Sequence, residues 1–310
     1  MSGGHLSEGK RSEIFTALLL FVMLLGASFG MASAVRSAVS QSMMSHSSII
    51  INTYDIPDFE PTPDTPKKTD TPDTPDTPAE PIKIERKRKV YTPPNPLPDK
   101  YQIKMKHLTQ FDNLVTGCEI VSTCMVLNYW GKDNVTPEDM LTHLRRGKLK
   151  MNKDGVLYGP TPDNMFIGDP HQYSGFGCFA PTICRVVHNY YYTDIEAIDT
   201  TGTPLSELAA KYVANDIPVL IWVTDGMSPV GEGSTWRSVD SDGKITKEEF
   251  VWPLNEHCVV LIGYDKNNYI ICDPLDQNES TKYDKKLVET RNKELYNMSV
   301  TVIPIEYEEE

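Results

Sequence analysis

The chain has 310 residues, 39% of them apolar, enough for one domain of ~200 residues with a sizeable core plus additional segments. Its formal net charge is -13, and residues 1–92 hold 10 basic and 11 acidic groups, leaving 20 and 32 beyond them. The globular part is therefore acidic, which argues against nucleic acid as a partner, since phosphate neutralisation needs clustered Lys and Arg.

Residues 1–13 end in a basic flank, Lys10 and Arg11, ahead of an uncharged run over 14–35. That run contains roughly the ~20 apolar residues a membrane-spanning helix needs. Its second half turns small, and Ala32, Ser33 and Ala34 form an A-x-A cleavage pattern, so it reads equally as a signal peptide or a retained anchor. Either way the basic flank stays inside, and the remainder is expected on the extracellular side, secreted or held at the cell surface. Membrane contact is expected only through this segment.

Residues 36–92 form a Ser-rich stretch followed by a repeated Thr-Pro-Asp pattern and the basic cluster Lys83 to Lys89. Too few apolar groups and too many prolines predict an extended, disordered spacer. Its 25 Pro-rich residues would reach about 75 Å in polyproline II form. Such a spacer would also allow cell-wall contact. The basic cluster reads first as a solvated linker.

The globular domain is expected over residues 93–310. Residues 101–108 alternate weakly, as a short strand leading to Gln110. Helix signals cover 118–130, 136–146, 181–192 and, after Thr203-Pro204, as far as about 214. Short apolar runs rich in β-branched residues then predict strands at 218–224, 257–262, 269–272 and 299–305. Early helices and late strands predict an α+β domain with the two segregated.

Cys118 follows Gly117 and opens the first helix, where unpaired N–H groups and the positive end of the macrodipole favour a thiolate. His257 starts one strand and Asp273 follows the next, so antiparallel pairing can bring them together. They share a face only if the connecting loop has an odd number of residues or a bulge intervenes; Asn267 and Asn268 favour an odd loop. His257 could take the Cys118 proton while Asp273 orients the ring. Gln110 could join the Cys118 backbone N–H in stabilising an oxyanion.

These segments also resemble a known family. The CEIVS helix start, the upstream Gln, GFGCFAP and EHCVVLIGYD…DPL occur in the order seen in the C39-like papain-fold cysteine peptidases (peptidase C39 family 2). The resemblance covers residues of about 100 to 305. It implies an α+β papain-like fold with helices packed on an antiparallel sheet, a Cys118, His257, Asp273 triad, and Gln110 as oxyanion donor. The implied partner is a peptide or protein substrate. A cell-wall peptide amidase and a non-catalytic surface binding domain are the alternatives.

Residues 238–249 carry part of a calcium-loop pattern, but Ser238 stands where the first carboxylate belongs. Asp242-Gly243 between Trp236 and Trp252 predicts a hairpin instead, forming one wall of the cleft. Cys178 is the rival nucleophile, without an upstream Gln. Cys118 with Cys124, and Cys178 with Cys184, are spaced too far apart on a helix to bond; Cys258 and Cys272 could face one another across the hairpin. The histidines show no ligand spacing, so no metal or other cofactor is expected.

Overall fold

The computed structural model describes residues 89–305, apart from 133, 192 and 193. The apolar segment at 14–35 and the Thr-Pro-Asp spacer lie outside the described residues. Among the described residues, no helix is long and apolar enough to cross a membrane.

Elements run in the order β1 (Tyr101–Gln102), α1 (Cys118–Tyr129), α2 (Pro137–Leu141), β2 (Arg146–Gly147), β3 (Lys150–Met151), β4 (Leu157–Gly159), β5 (Phe166–Ile167) and α3 (Ala180–Tyr191). There follow β6 (Ile195–Asp199), α4 (Leu205–Lys211), β7 (Val219–Thr224), β8 (Gly231–Val239), β9 (Ile245–Leu254) and β10 (Glu256–Tyr264). The last are β11 (Asn268–Cys272), β12 (Thr281–Asp284), α5 (Lys285–Glu294) and β13 (Ser299–Pro304).

The main sheet is antiparallel, in the order β12-β11-β10-β7-β13-β6, with β1 on β10. Its central strands are apolar on both faces because both are covered: every residue of β7 is buried, as is every residue of β10 after Glu256. Residues 118–127 of α1 are all buried too, as expected for a helix apolar on every side. Ser122 Oγ donates to the Cys258 carbonyl at 3.0 Å, and Trp130 Nε1 to the Val302 carbonyl at 2.8 Å. These two bonds tie the middle and the C-terminal end of α1 to the sheet. Asn292 of α5, itself buried, donates to the carbonyls of Trp222 and Met298, both at 2.9 Å.

The expected helix over 136–146 stops early. Thr136 and Asp139 form a reciprocal capping box with Pro137 in the first turn, a strong start, but the chain leaves the helix to pair β2 with β5 in parallel. The strand expected over 101–108 is only two residues long. The hairpin expected around Gly243 is present as β8 and β9, in a second sheet ordered β3-β4-β8-β9. Asp240 Oδ1 accepts from the N–H groups of Asp242 and Lys244, and Gly243 takes φ +75°. Ser238 Oγ meets Thr246 Oγ1 at 2.6 Å. β9 reaches β10 through Asn255 alone, which turns the chain at φ +68°.

Candidate active site

Cys118 lies in the first turn of α1, after Gly117 as N-cap. A side chain at Gly117 would place its Cβ 2.8 Å from Leu114 Cβ, so the tight approach to the helix needs glycine there. The preceding loop is held from two sides. Gln110 N–H donates to the Pro274 carbonyl at 3.0 Å, and His107 Nε2 meets the Asp273 carbonyl at 2.8 Å. Thr116 N–H donates to Pro170 O at 3.1 Å and its Oγ1 to Gln172 O at 3.1 Å. His107 is a neighbour of the site that sequence reasoning passed over.

β10 and β11 supply the other side. Val260 faces Cys272 and Leu261 faces Ile271, but Gly263 faces Ile270, with a bulge at Ile262 between. The loop expectation needs correcting here: four residues separate the last facing pair, Tyr264 and Tyr269, an even number. That loop alone would set Asp273 opposite Val260, on the wrong face. The extra residue at Ile262 shifts the register by one, so Asp273 lies level with Val259, on the same face as His257. His257 Nε2 and Asp273 Oδ1 are accordingly 2.6 Å apart. Asp273 Oδ1 also accepts from Leu275 N–H at 2.8 Å.

His257 is 2% exposed. Burial alone would lower its pKa, but the charge of Asp273 and its hydrogen bond outweigh this, and the net shift is upward. The bond occupies Nε2 and leaves Nδ1 to exchange a proton.

Cys118 Sγ accepts from the Cys258 N–H at 3.4 Å and donates to Glu119 Oε2 at 3.4 Å. Through the Cys258 peptide this puts the sulfur within about 6 Å of His257 Cα. In this structure the sulfur's hydrogen bonds go to Glu119 and Cys258, not to the ring. The expectation of a thiolate-favouring helix tip therefore gives way: burial, then the charges of Glu119 and Glu256, push the thiol well above its ordinary value. Desolvation outweighs the helix dipole because the dipole contributes only about 1 to 2 kcal/mol.

Gln110 is 3% exposed. Its Nε2 donates to Val115 O at 3.0 Å, leaving a second amide hydrogen, while no donor among the described residues reaches Oε1. Cys178 is fully buried, its N–H donating to Glu119 Oε1 and its carbonyl accepting from Trp222 Nε1 at 3.1 Å. It serves as a structural neighbour of Glu119. All six cysteines are free, and Cys272 faces Val260, not Cys258.

Sequence reasoning missed Glu119 and Glu256. Cys118 Sγ and one carboxylate oxygen from each lie within 4.8 Å of one another. Both Glu119 oxygens already accept hydrogen bonds from the protein, so the group reads as a proton-bearing cluster. The signal was available: an acid inside a helix that is apolar on every side must be buried with it. The aromatic side chains of the β8–β9 hairpin stand alongside, with Phe176 5.4 Å and Phe179 5.8 Å from the Trp252 ring, centroid to centroid.

The sequence profile described as the Peptidase_C39 like family matches residues 102–301. "Uncharacterized protein YvpB" of Bacillus subtilis (strain 168) is 27% identical over 189 residues, 61% of this chain and 70% of that protein. A crystal structure from Bacillus anthracis, described as a C39-like peptidase, matches with a TM-score of 0.57 at 25% identity, covering 68% of this chain and 100% of that one. Xylellain, a cysteine protease from Xylella fastidiosa, is more remote at 13% identity and a TM-score of 0.34, over 74% of this chain and 94% of its own. With an α+β fold of helices on an antiparallel sheet and a profile match over most of its described length, the chain belongs to the Peptidase_C39 like family.

Proposed function

We propose that this protein is an exported or membrane-anchored cysteine peptidase that cleaves peptide or protein substrates through an acyl-enzyme on Cys118. The observation that carries the reading is the buried His257–Asp273 pair at 2.6 Å, on the strand whose next N–H reaches the Cys118 sulfur at 3.4 Å.

In the reaction, rotation about the Cys118 side chain turns the sulfur from Glu119 towards His257. Nδ1 takes the thiol proton, and the thiolate attacks the scissile carbonyl. The oxyanion that develops accepts from the Cys118 N–H at the helix start and from the second Gln110 amide hydrogen. The imidazolium then protonates the leaving amine, which departs with the C–N electron pair, and water releases the acyl group by the reverse proton path. Asp273 holds the ring in the tautomer that this needs. The apolar run over 14–35 and the spacer behind it support placement on the extracellular side.

Profiling cleavage of a peptide library by the full chain beside a Cys118→Ala control tests this reading. Products formed only by the unaltered chain are expected. Identical profiles from both proteins, across the library and purified cell-wall peptides, would contradict it.

A further inference from the structure

The carboxyl of Glu119 is 0% exposed and sits directly against the proposed nucleophile. The groups facing it are Cys118 on its own helix, Cys178 from the segment before α3, and Glu256, His257 and Cys258 on β10. Glu256 Oε1 is buried and has no hydrogen-bond partner among the described residues. Gly177 makes room for the two acids: a Cβ there would come within 2.5 Å of Glu119 Oε1 and 3.1 Å of Glu256 Oε2. Two carboxyl groups this close inside the protein cannot both ionise cheaply, so the pair retains a proton well above the usual carboxylate range.

We propose that Glu119 is a positioning residue for Cys118, whose state of protonation decides whether the sulfur rests as a thiol or stands as a thiolate. This rests on the reading of Cys118 as nucleophile. When Glu119 is protonated, its O–H can donate to the sulfur, and the Cys118 proton resides on His257 as imidazolium. When Glu119 loses its proton, the carboxylate accepts from the S–H, and His257 is neutral. The passage from the first state to the second releases one proton overall and changes no oxidation state. Burial raises the Glu119 pKa above the usual carboxylate range, which moves the passage towards neutrality. Glu256 is raised further, by burial and then by Glu119.

An ordinary thiol alkylates faster as pH rises, because more of it is thiolate. The proposal reverses that trend for Cys118. Alkylation of the full chain by iodoacetamide, read at Cys118 by peptide mass spectrometry, should fall about tenfold from one pH unit below the midpoint to one above, as a single titration requires. Glu119→Gln keeps an acceptor for the Cys178 N–H and a permanent donor for the sulfur, and should abolish the fall. A profile unchanged by Glu119→Gln, while His257→Ala still suppresses labelling, overturns this inference alone. Labelling indifferent to His257→Ala overturns the nucleophile reading and this inference with it. If Glu119→Gln does not fold, difference infrared spectra of the unaltered protein decide: loss of a protonated-carboxyl band in step with labelling supports the proposal, and a fall without it contradicts it.

Discussion

At the level of single atoms, Asp273 Oδ1 is the partner of His257 Nε2, at 2.6 Å. Asp273→Asn should lower kcat/KM by roughly two orders of magnitude or more, since an amide permits the wrong tautomer. It should also reduce stability, with a particular pH dependence. The folded-state pKa of His257 is raised, chiefly by Asp273 against the opposing effect of burial. The contribution of the pair is therefore complete below the unfolded imidazole value of about 6.5 and is lost as pH rises through the higher folded value. Denaturant midpoints of the two proteins should differ most on the acid side of that window and converge above it. At Gly177 the backbone takes φ +152°, and a Cβ would meet Glu119. Gly177→Ala should cost on the order of 1–3 kcal/mol in chemical denaturation and displace Glu119 from the Cys118 sulfur.

Among the elements, the β8–β9 hairpin is held beside the site by aromatic packing. Trp252 is buried and stacks on Phe179, so Trp252→Ala should cost about 3–5 kcal/mol of stability. The loop over 169–175 packs on Thr116, two residues before Cys118, and is fastened to α2 by His171. The ring meets Asp169 Oδ1 at 2.9 Å and Glu138 Oε1 at 3.1 Å. The Asp169 hydrogen bond, then that of Glu138, raise the His171 pKa against partial desolvation. The clasp should therefore be complete at low pH and released as pH rises through the raised value. Hydrogen exchange at 169–175, corrected for intrinsic rates, should accelerate over that range in the unaltered protein and show no such step in His171→Ala. These tertiary devices also mark where sequence reading stops. Strands such as β7 and β13 were legible because they bury five or more consecutive residues. Strands β2, β3 and β5 have two residues each, too few for a periodicity, and exist because a partner fixes them. α5 went unseen because its sequence, KKLVETRNKE, is polar on most faces and buries only Val288 and Asn292.

At the scale of the molecule, one continuous core joins α1, α3 and the main sheet, and its buried residues among those described run from Ile103 to Ile303. A fragment of residues 89–310 should melt cooperatively and keep the Cys118 reactivity of the full chain; loss of either would assign a folding role to the N-terminal segments. The grouping of Cys118, His257 and Asp273 as a candidate site was legible from residue type and order. The route that aligns them was not, because a bulge at Ile262 leaves no mark in composition. The most direct test of the account is adduct formation by a peptidyl acyloxymethyl ketone, mapped by mass spectrometry in the unaltered, Cys118→Ala and His257→Ala proteins. The account predicts a single adduct on Cys118 that is absent from the first variant and lost or strongly slowed in the second. Equal labelling in His257→Ala, or an adduct carried by another cysteine, would contradict it.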